Sequence, residues 1–311
     1  MSEKFSSKEE TIGKLLKNYR FEVPKYQRYY SWREESNIYL EDVLGAIEKG
    51  EEYFIGPMIL SSDDRNEYKV IDGQQRLITT AIIISVIRDI YAKKGFTESA
   101  SLIYNGYLIE KEVYSSGNLR LTPSRIDKDF FESLIKNEAD IDEKKKIAKG
   151  KIKEKKFESW KNIWSFYEDC YKHILDKLNS TPDNPEIFLN KIIESLDKDI
   201  KVIVIEVKND SDAYLIFETL NDRGLQLSMA DLLKNYLFSK LEDERLIDEY
   251  ELRWSYFLEE IGASKLVQFI RYYWIAREDF TREKDLFRKI KAKIDTINKA
   301  KVLIDELCCV A

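Results

Sequence analysis

The stretch from Val70 to Tyr91 constrains this chain more than any other. A short β-branched run, Tyr68–Ile71, passes through Asp72-Gly73 into a long apolar segment, Leu77–Tyr91. Leu77, Ala81, Ile84, Ile87 and Tyr91 fall on one side at helical spacing, and the other faces are apolar too. A helix that is apolar all round has to be covered on every side. Its unbroken apolar runs, Ala81–Ile84 and Val86–Ile87, are far short of the roughly 20 residues that span a bilayer. The cover must therefore be protein.

The flanking segments supply it. Tyr53–Leu60 and Tyr68–Ile71, bracketing the polar turn SSDDRN, read as two strands of one hairpin. Thr11–Asn18, Asn37–Lys49, Phe157–Leu178 and Pro185–Leu196 have helical spacing, and Ile200–Val207 reads as a buried strand. Phe21–Trp32, broken by Pro24, is a short strand and loop. The stripe of Trp160, Ile163, Trp164, Tyr167, Tyr171 and Ile174 is core packing. Asp210–Leu220 reads as a helix, NDRGLQL as a loop, and Ser228 as the N-cap of MADLLKNYLF. The pattern is helical from Arg245 onward, and no internal repeat is visible. The expected class is α+β: a small mixed sheet with helices, followed by a mainly helical part. Four segments are expected: a core over 1–136, a charged linker over 137–156, a helical part with one buried strand over 157–240 that completes the same domain, and a helical extension over 241–311. Between Asp140 and Lys156 stand eight lysines and four acids, which read as a solvated linker or the exposed turns of a helix, with a nucleic-acid contact as the alternative.

Scarcity prunes function. The one histidine, His173, excludes a His-rich zinc site and makes triad or His-Asn-His chemistry depend on that single residue. Cys170, Cys308 and Cys309 form no C-x-x-C pair, so a disulfide framework or structural zinc is not expected and a reducing cytoplasm fits. The start, MSEKFSSKEE, has no apolar core and is no signal peptide. A net charge of −6 argues against a nucleic-acid binder over its whole surface and leaves room for a local basic region.

Three motifs carry chemistry. In Val70-Ile71-Asp72-Gly73-Gln74-Gln75-Arg76, Gly73 can take the positive φ of a sharp exit from a strand. Gln74, Gln75 and Arg76 then occupy a first helical turn, where unpaired N–H groups and the helix dipole favour an anion. Arg76 adds a bidentate donor suited to phosphate, and Asp72 suits a magnesium ion or a water. The competing reading is an Asp-capped helix with an Asp72–Arg76 ion pair four residues apart. Second, Val23-Pro24-Lys25-Tyr26-Gln27-Arg28-Tyr29-Tyr30, ending at Trp32, sets a Gln-Arg pair among aromatics. Such a pair can stack a base and hold a phosphate, although core packing explains the aromatics equally. Third, Phe217-Glu218-Thr219-Leu220-Asn221-Asp222-Arg223-Gly224 runs through Ser228 to Asp231-Leu232-Leu233-Lys234-Asn235. It offers either a second anion-facing helix terminus or a plain turn.

In order and spacing these motifs, together with Phe54-Ile55-Gly56, resemble the N-terminal domain of GmrSD-type, modification-dependent restriction enzymes, over about residues 10–240. Val23 replaces the family's usual Ile, and Ile78 is inserted where the family often runs L-T-T. The resemblance implies a ParB/sulfiredoxin-like sheet, nucleoside-triphosphate (NTP) binding with Mg²⁺-dependent hydrolysis, and a role in phage defence. Its partners would be the triphosphate and DNA, modified in some cases, reached directly or through a nuclease. It implies Asp72, Gln75 and Arg76 as catalytic residues, with Asp72 on the metal. Nucleotide binding would fall to Tyr26, Gln27, Arg28, Gly73, Gln74, Asn221, Arg223, Gly224 and Lys234. A non-hydrolysing nucleotide or DNA switch is the alternative. Nothing in the sequence resembles the family's His-Asn-His-like nuclease, so a stand-alone sensor or the front part of a longer protein is expected.

Two other patterns carry less. No G-x-x-x-x-G-K-[ST] occurs, so this is not a P-loop protein. Asp199 with Glu206-Val207-Lys208 matches the D…E-x-K metal site of many nucleases, but E-x-K arises often by chance in a chain with 35% charged residues.

Overall fold

The structure is a computed structural model that describes residues 5–24, 27–64, 66–110, 117–138, 140–181, 184–207, 229–238, 240–241 and 244–310. The chain divides into two compact units: Met1–Pro24 with Tyr29–Phe217, and Lys25–Arg28 with Glu218–Ala311.

The first unit is built on a mixed sheet. Its strands are β1 (Phe5–Thr11), β2 (Arg20–Glu22), β3 (Tyr53–Asp64), β4 (Glu67–Asp72), β7 (Leu121–Thr122) and β8 (Ile200–Val207). β5 (Ile109–Glu110) and β6 (Asn118–Leu119) form a separate antiparallel pair. The sheet order is β1-β8-β3-β4-β2-β7. β3 and β4 are the expected hairpin, antiparallel with Leu60 opposite Val70. β8 lies between β1 and β3, antiparallel to the first and parallel to the second. Its Ile200, Val202 and Val204 are fully buried, as an inner strand requires.

Eight α-helices, and a short π-helix at Tyr104–Leu108, accompany this sheet among the described residues: α1 (Ile12–Asn18), α2 (Glu34–Lys49), α3 (Gln74–Lys93), α4 (Thr97–Ile103), α5 (Arg125–Lys136), α6 (Ile141–Lys155), α7 (Glu158–Ser180) and α8 (Pro185–Lys198). α3 is the buried element expected from its all-round apolarity. Ile82, Ile83, Ile84, Val86, Ile87 and Ile90 are inaccessible, and α1, α4, α7 and α8 pack around it. Burying each such side chain contributes about 1.5–3 kcal/mol, which makes α3 the energetic centre of the unit.

The second unit is helical among the described residues: α9 (Met229–Phe238), α10 (Glu244–Ile261), α11 (Ala263–Arg277), α12 (Glu283–Lys293) and α13 (Ile297–Val310). Its core gathers Leu237, Phe238, Trp254, Phe257, Ile270, Phe287 and Ile304. Phe238 meets Trp254 edge-on, and Trp254 meets Phe257 the same way. No helix among the described residues is long and apolar enough to cross a membrane.

Three features of the structure bear on the expected segments. The charged segment 137–156 carries α6 over Ile141–Lys155, the helical alternative read for its lysine run. Asp140 accepts hydrogen bonds from the Asp142 and Glu143 amides at 2.9 and 3.0 Å, while Ile141, Ala148 and Ile152 turn inward at helical spacing. β8, from the segment 157–240, is an inner strand of the sheet that the 1–136 segment begins. β1 was not expected to be a strand. Its sequence FSSKEET lacks apolar alternation because it is an exposed edge, where charged residues guard against further pairing. The helix over Asp210–Leu220, the NDRGLQL loop and the Ser228 cap lie outside the described residues.

Candidate functional site

The chain turns from β4 into α3 at Gly73, whose φ of 102° is the positive value that the sharp exit requires. A Cβ at Gly73 would also lie 2.7 Å from Met58 side-chain atoms of β3, so glycine is required twice over. Gly73, the N-cap residue, brings no side chain to the α3 N-terminus, and the first helical bond runs from the Leu77 N–H to the Gly73 carbonyl at 3.1 Å. The amides of Gln74, Gln75 and Arg76 form its first turn, at the positive end of the helix dipole.

Arg76 lies across this turn. Its Nη1 donates to the Ile55 carbonyl at 2.8 Å, and its Nη2 donates to Asp72 Oδ2 at 3.2 Å. The two side chains are only 14% and 18% exposed, so the pair is shielded without being sealed. Gly56 makes this possible: with φ at 93°, it leaves open the space where a Cβ would sit 2.8 Å from Arg76 Nη1. The Phe54-Ile55-Gly56 motif therefore supplies both the carbonyl that holds Arg76 and the gap that admits it. A glycine inside an apolar strand was the available signal for a close approach.

Gln75 has a different position. Its Oε1 accepts from the Ser31 amide at 3.0 Å and the Trp32 amide at 3.4 Å, and its Nε2 donates to the Tyr29 carbonyl at 3.2 Å. Further along α3, the Thr79 hydroxyl shares a 2.9 Å hydrogen bond with Tyr30, and the Thr80 hydroxyl shares one of 2.9 Å with Tyr39. Thr80 also donates to the Arg76 carbonyl at 2.8 Å. Burial pushes the Tyr39 phenol up to about 12, which Thr80 and Arg76 only partly offset. One face of α3 thus fastens the Tyr29–Trp32 segment. Sequence reasoning did not single out Thr79 or Thr80, because short hydroxyl side chains in an apolar helix give no periodic signal of their own.

Gln74 is 6% exposed, and its Oε1 finds no hydrogen-bond partner among the described residues. A buried amide oxygen left this way costs about 1–3 kcal/mol. It sits at the first position of the α3 terminus.

The structure thus places Asp72, Gly73, Gln74, Gln75 and Arg76 on one turn of the first unit. Gln27, Arg28 and Lys234 belong to the second unit. Gln27 is buried, and Lys234 Nζ pairs with Glu251 at 3.6 Å, both side chains 7% exposed. Tyr26, Asn221, Arg223 and Gly224 lie outside the described residues. The D…E-x-K pattern does not converge. Asp199 ends α8, while Glu206 stands seven residues along, about 23 Å on an extended strand. Glu206 accepts from the Tyr68 hydroxyl and pairs with Lys8 at 3.3 Å, and Lys208 lies outside the described residues. Among the described residues no three His, Cys, Asp or Glu side chains gather as a metal site.

Residues 12–238 match the model of the GmrSD restriction endonuclease N-terminal domain. The match covers well over half of the chain, which therefore belongs to this family and to a restriction system, one whose target is DNA. A comparison with curated proteins finds no match.

Proposed function

We propose that this chain is the nucleotide-responsive regulatory domain of a modification-dependent restriction system, binding a nucleoside triphosphate at the N-terminus of α3. The observation that carries the reading is the helix turn that opens at Gly73, with Arg76 drawn over it by Asp72 and the Ile55 carbonyl. First-turn amides and a guanidinium are the donors that a phosphate group takes. The unpartnered Gln74 Oε1 suits a ligand that brings its own donor, such as a ribose hydroxyl. Magnesium fits only as an ion carried on the phosphates, with Asp72 as one protein ligand and water completing its shell. Bound there, it would neutralise phosphate charge, and its capture would require Asp72 to release Arg76.

One observation favours binding without turnover. The amide of Gln75, the group that would orient an attacking water, is committed to three backbone groups of the Tyr29–Trp32 segment. Calorimetric titration of the chain with each of the four Mg-nucleotides, alongside phosphate release with and without DNA, decides the matter. Binding with release supports a hydrolase and binding without release supports a switch. Failure to bind any nucleotide would overturn both.

A further inference from the structure

The lysine-rich run divides its work between two faces of α6. On the inner face Lys144 is buried and pairs with Asp89 of α3. On the outer face Lys146, Lys149 and Lys153 recur at intervals of three and four residues, with Lys156 following at the helix end. All four are exposed, and none has an ion pair among the described residues. Asp142 and Glu143, in the first turn, stand beside Lys146 at the start of the row, and Glu154 is the single acid from Lys144 to Lys156.

This arrangement works against the helix that bears it. Lys149 and Lys153, like charges four residues apart, repel one another. Gly150 stands between them on the same outward side, and an interior glycine weakens a helix relative to alanine. Packing gives no reason for it, since a Cβ at Gly150 would meet nothing within 4 Å. A row of unpaired lysines around a bare patch of backbone is what close approach by a polyanion calls for. The protein's overall charge of −6 makes this local excess more distinct.

We infer that the outer face of α6 is a docking surface for the phosphate backbone of duplex DNA. Lys146, Lys149 and Lys153 make the contacts and Gly150 lets the backbone approach. DNA is the occupant because the chain belongs to a restriction system and because these groups read charge rather than sequence. The inference rests on that family membership and not on the nucleotide site.

The test is binding of the full chain to a short fluorescein-labelled duplex without nucleotide, followed by anisotropy from about 50 to 200 mM salt. Replacing Lys146, Lys149 and Lys153 together by Gln should weaken binding at least tenfold at the lower salt. It should also flatten the log–log salt slope by about 2.7, or about 0.9 for each phosphate no longer neutralised. The Arg triple variant should restore both, and nucleotide titrations of the Gln variant should match wild type. A control triple at the exposed Lys14, Lys49 and Lys94 makes the same charge change elsewhere. If the wild-type chain does not bind the duplex, or if the control variant weakens binding as much as the α6 variant, the assignment is wrong.

Discussion

Two acid–base clusters sit on the same helix, and their settings differ. At the start of α3, Asp72 and Arg76 pair at 3.2 Å in a partly shielded position beside the amides of the first helical turn. Four turns on, Asp89 is enclosed by Arg88 at 2.6 Å, by Lys144 of α6 and by the Tyr167 hydroxyl of α7, and all the charged groups are nearly inaccessible. Arg88 also donates to the Ile135 and Asn137 carbonyls, which ties α5 into the same knot. The enclosed cluster has no surface to offer a ligand, and its two cations outnumber its one anion. It holds α3, α5, α6 and α7 together. The partly shielded pair holds little together and keeps a cation close to a helix N-terminus. The same residue types thus serve structure or recognition according to their access to solvent.

The largest effect expected is at Asp89. Asp89→Ala leaves Arg88 and Lys144 buried without their counter-charge and should cost about 3–5 kcal/mol in denaturant unfolding. A variant that still folds should bind nucleotide as wild type does. Loss of affinity at unchanged stability would erase the contrast between the clusters. Gly73→Ala comes next, at about 2–3 kcal/mol, because the new Cβ meets Met58 and the positive φ is strained. Unlike Asp89→Ala, it should lower nucleotide affinity in the protein that remains folded.

The enclosed cluster also predicts a pH dependence. Burial lowers Lys144 from its ordinary 10.5 to about 8, against the pull of Asp89. Between about pH 8 and 10.5 the unfolded chain therefore keeps a proton that the folded chain has released. Stability should climb with pH across that window, by at most about 1.4 kcal/mol per unit. Below pH 8 the cost of burying the charge is present in full. Denaturant titrations of wild type and Lys144→Met at several pH values isolate the effect, since the variant should lack this slope. Gly56→Ala carries positive-φ strain as well, but its Cβ meets only the end of a flexible side chain, 2.8 Å from Arg76 Nη1, so it should cost about 1–2 kcal/mol and displace the guanidinium. Nucleotide affinity should drop, with a melting temperature lowered by about 2–8 °C.

Much of this fold was legible because its elements announce themselves locally. The β3–β4 hairpin, the buried α3, the aromatic α7 and the strand β8 each carry an unmixed period or an apolar run. What was not legible was distant pairing. Nothing in Ile200–Val207 says that it inserts between an N-terminal edge strand and the hairpin, and nothing in FSSKEET reads as a strand without that partner. Lys144 looked like seven other lysines until Asp89 was placed opposite it. At the site, the positive φ of Gly73 was readable from the strand-to-helix junction, and the Asp72–Arg76 pair from its spacing. The engagement of Gln75 with the Tyr29–Trp32 backbone and the fit of Gly56 around Arg76 both join segments about 20 residues or more apart in the chain.

Arg76→Ala tests the account most directly. Removing a partly shielded pair and one hydrogen bond to a carbonyl should cost only about 1 kcal/mol of stability. Losing a charge-assisted contact to phosphate is worth about 1.5–3 kcal/mol, or about ten- to hundred-fold in affinity. Calorimetric titration of the purified variant with the nucleotide that wild type prefers, beside its melting curve, reads both quantities. The account predicts a near-native melting curve with affinity reduced by at least tenfold. Unchanged affinity with a clear loss of stability would mean that Arg76 serves only Asp72 and the Ile55 carbonyl, and that the α3 terminus is not the phosphate site.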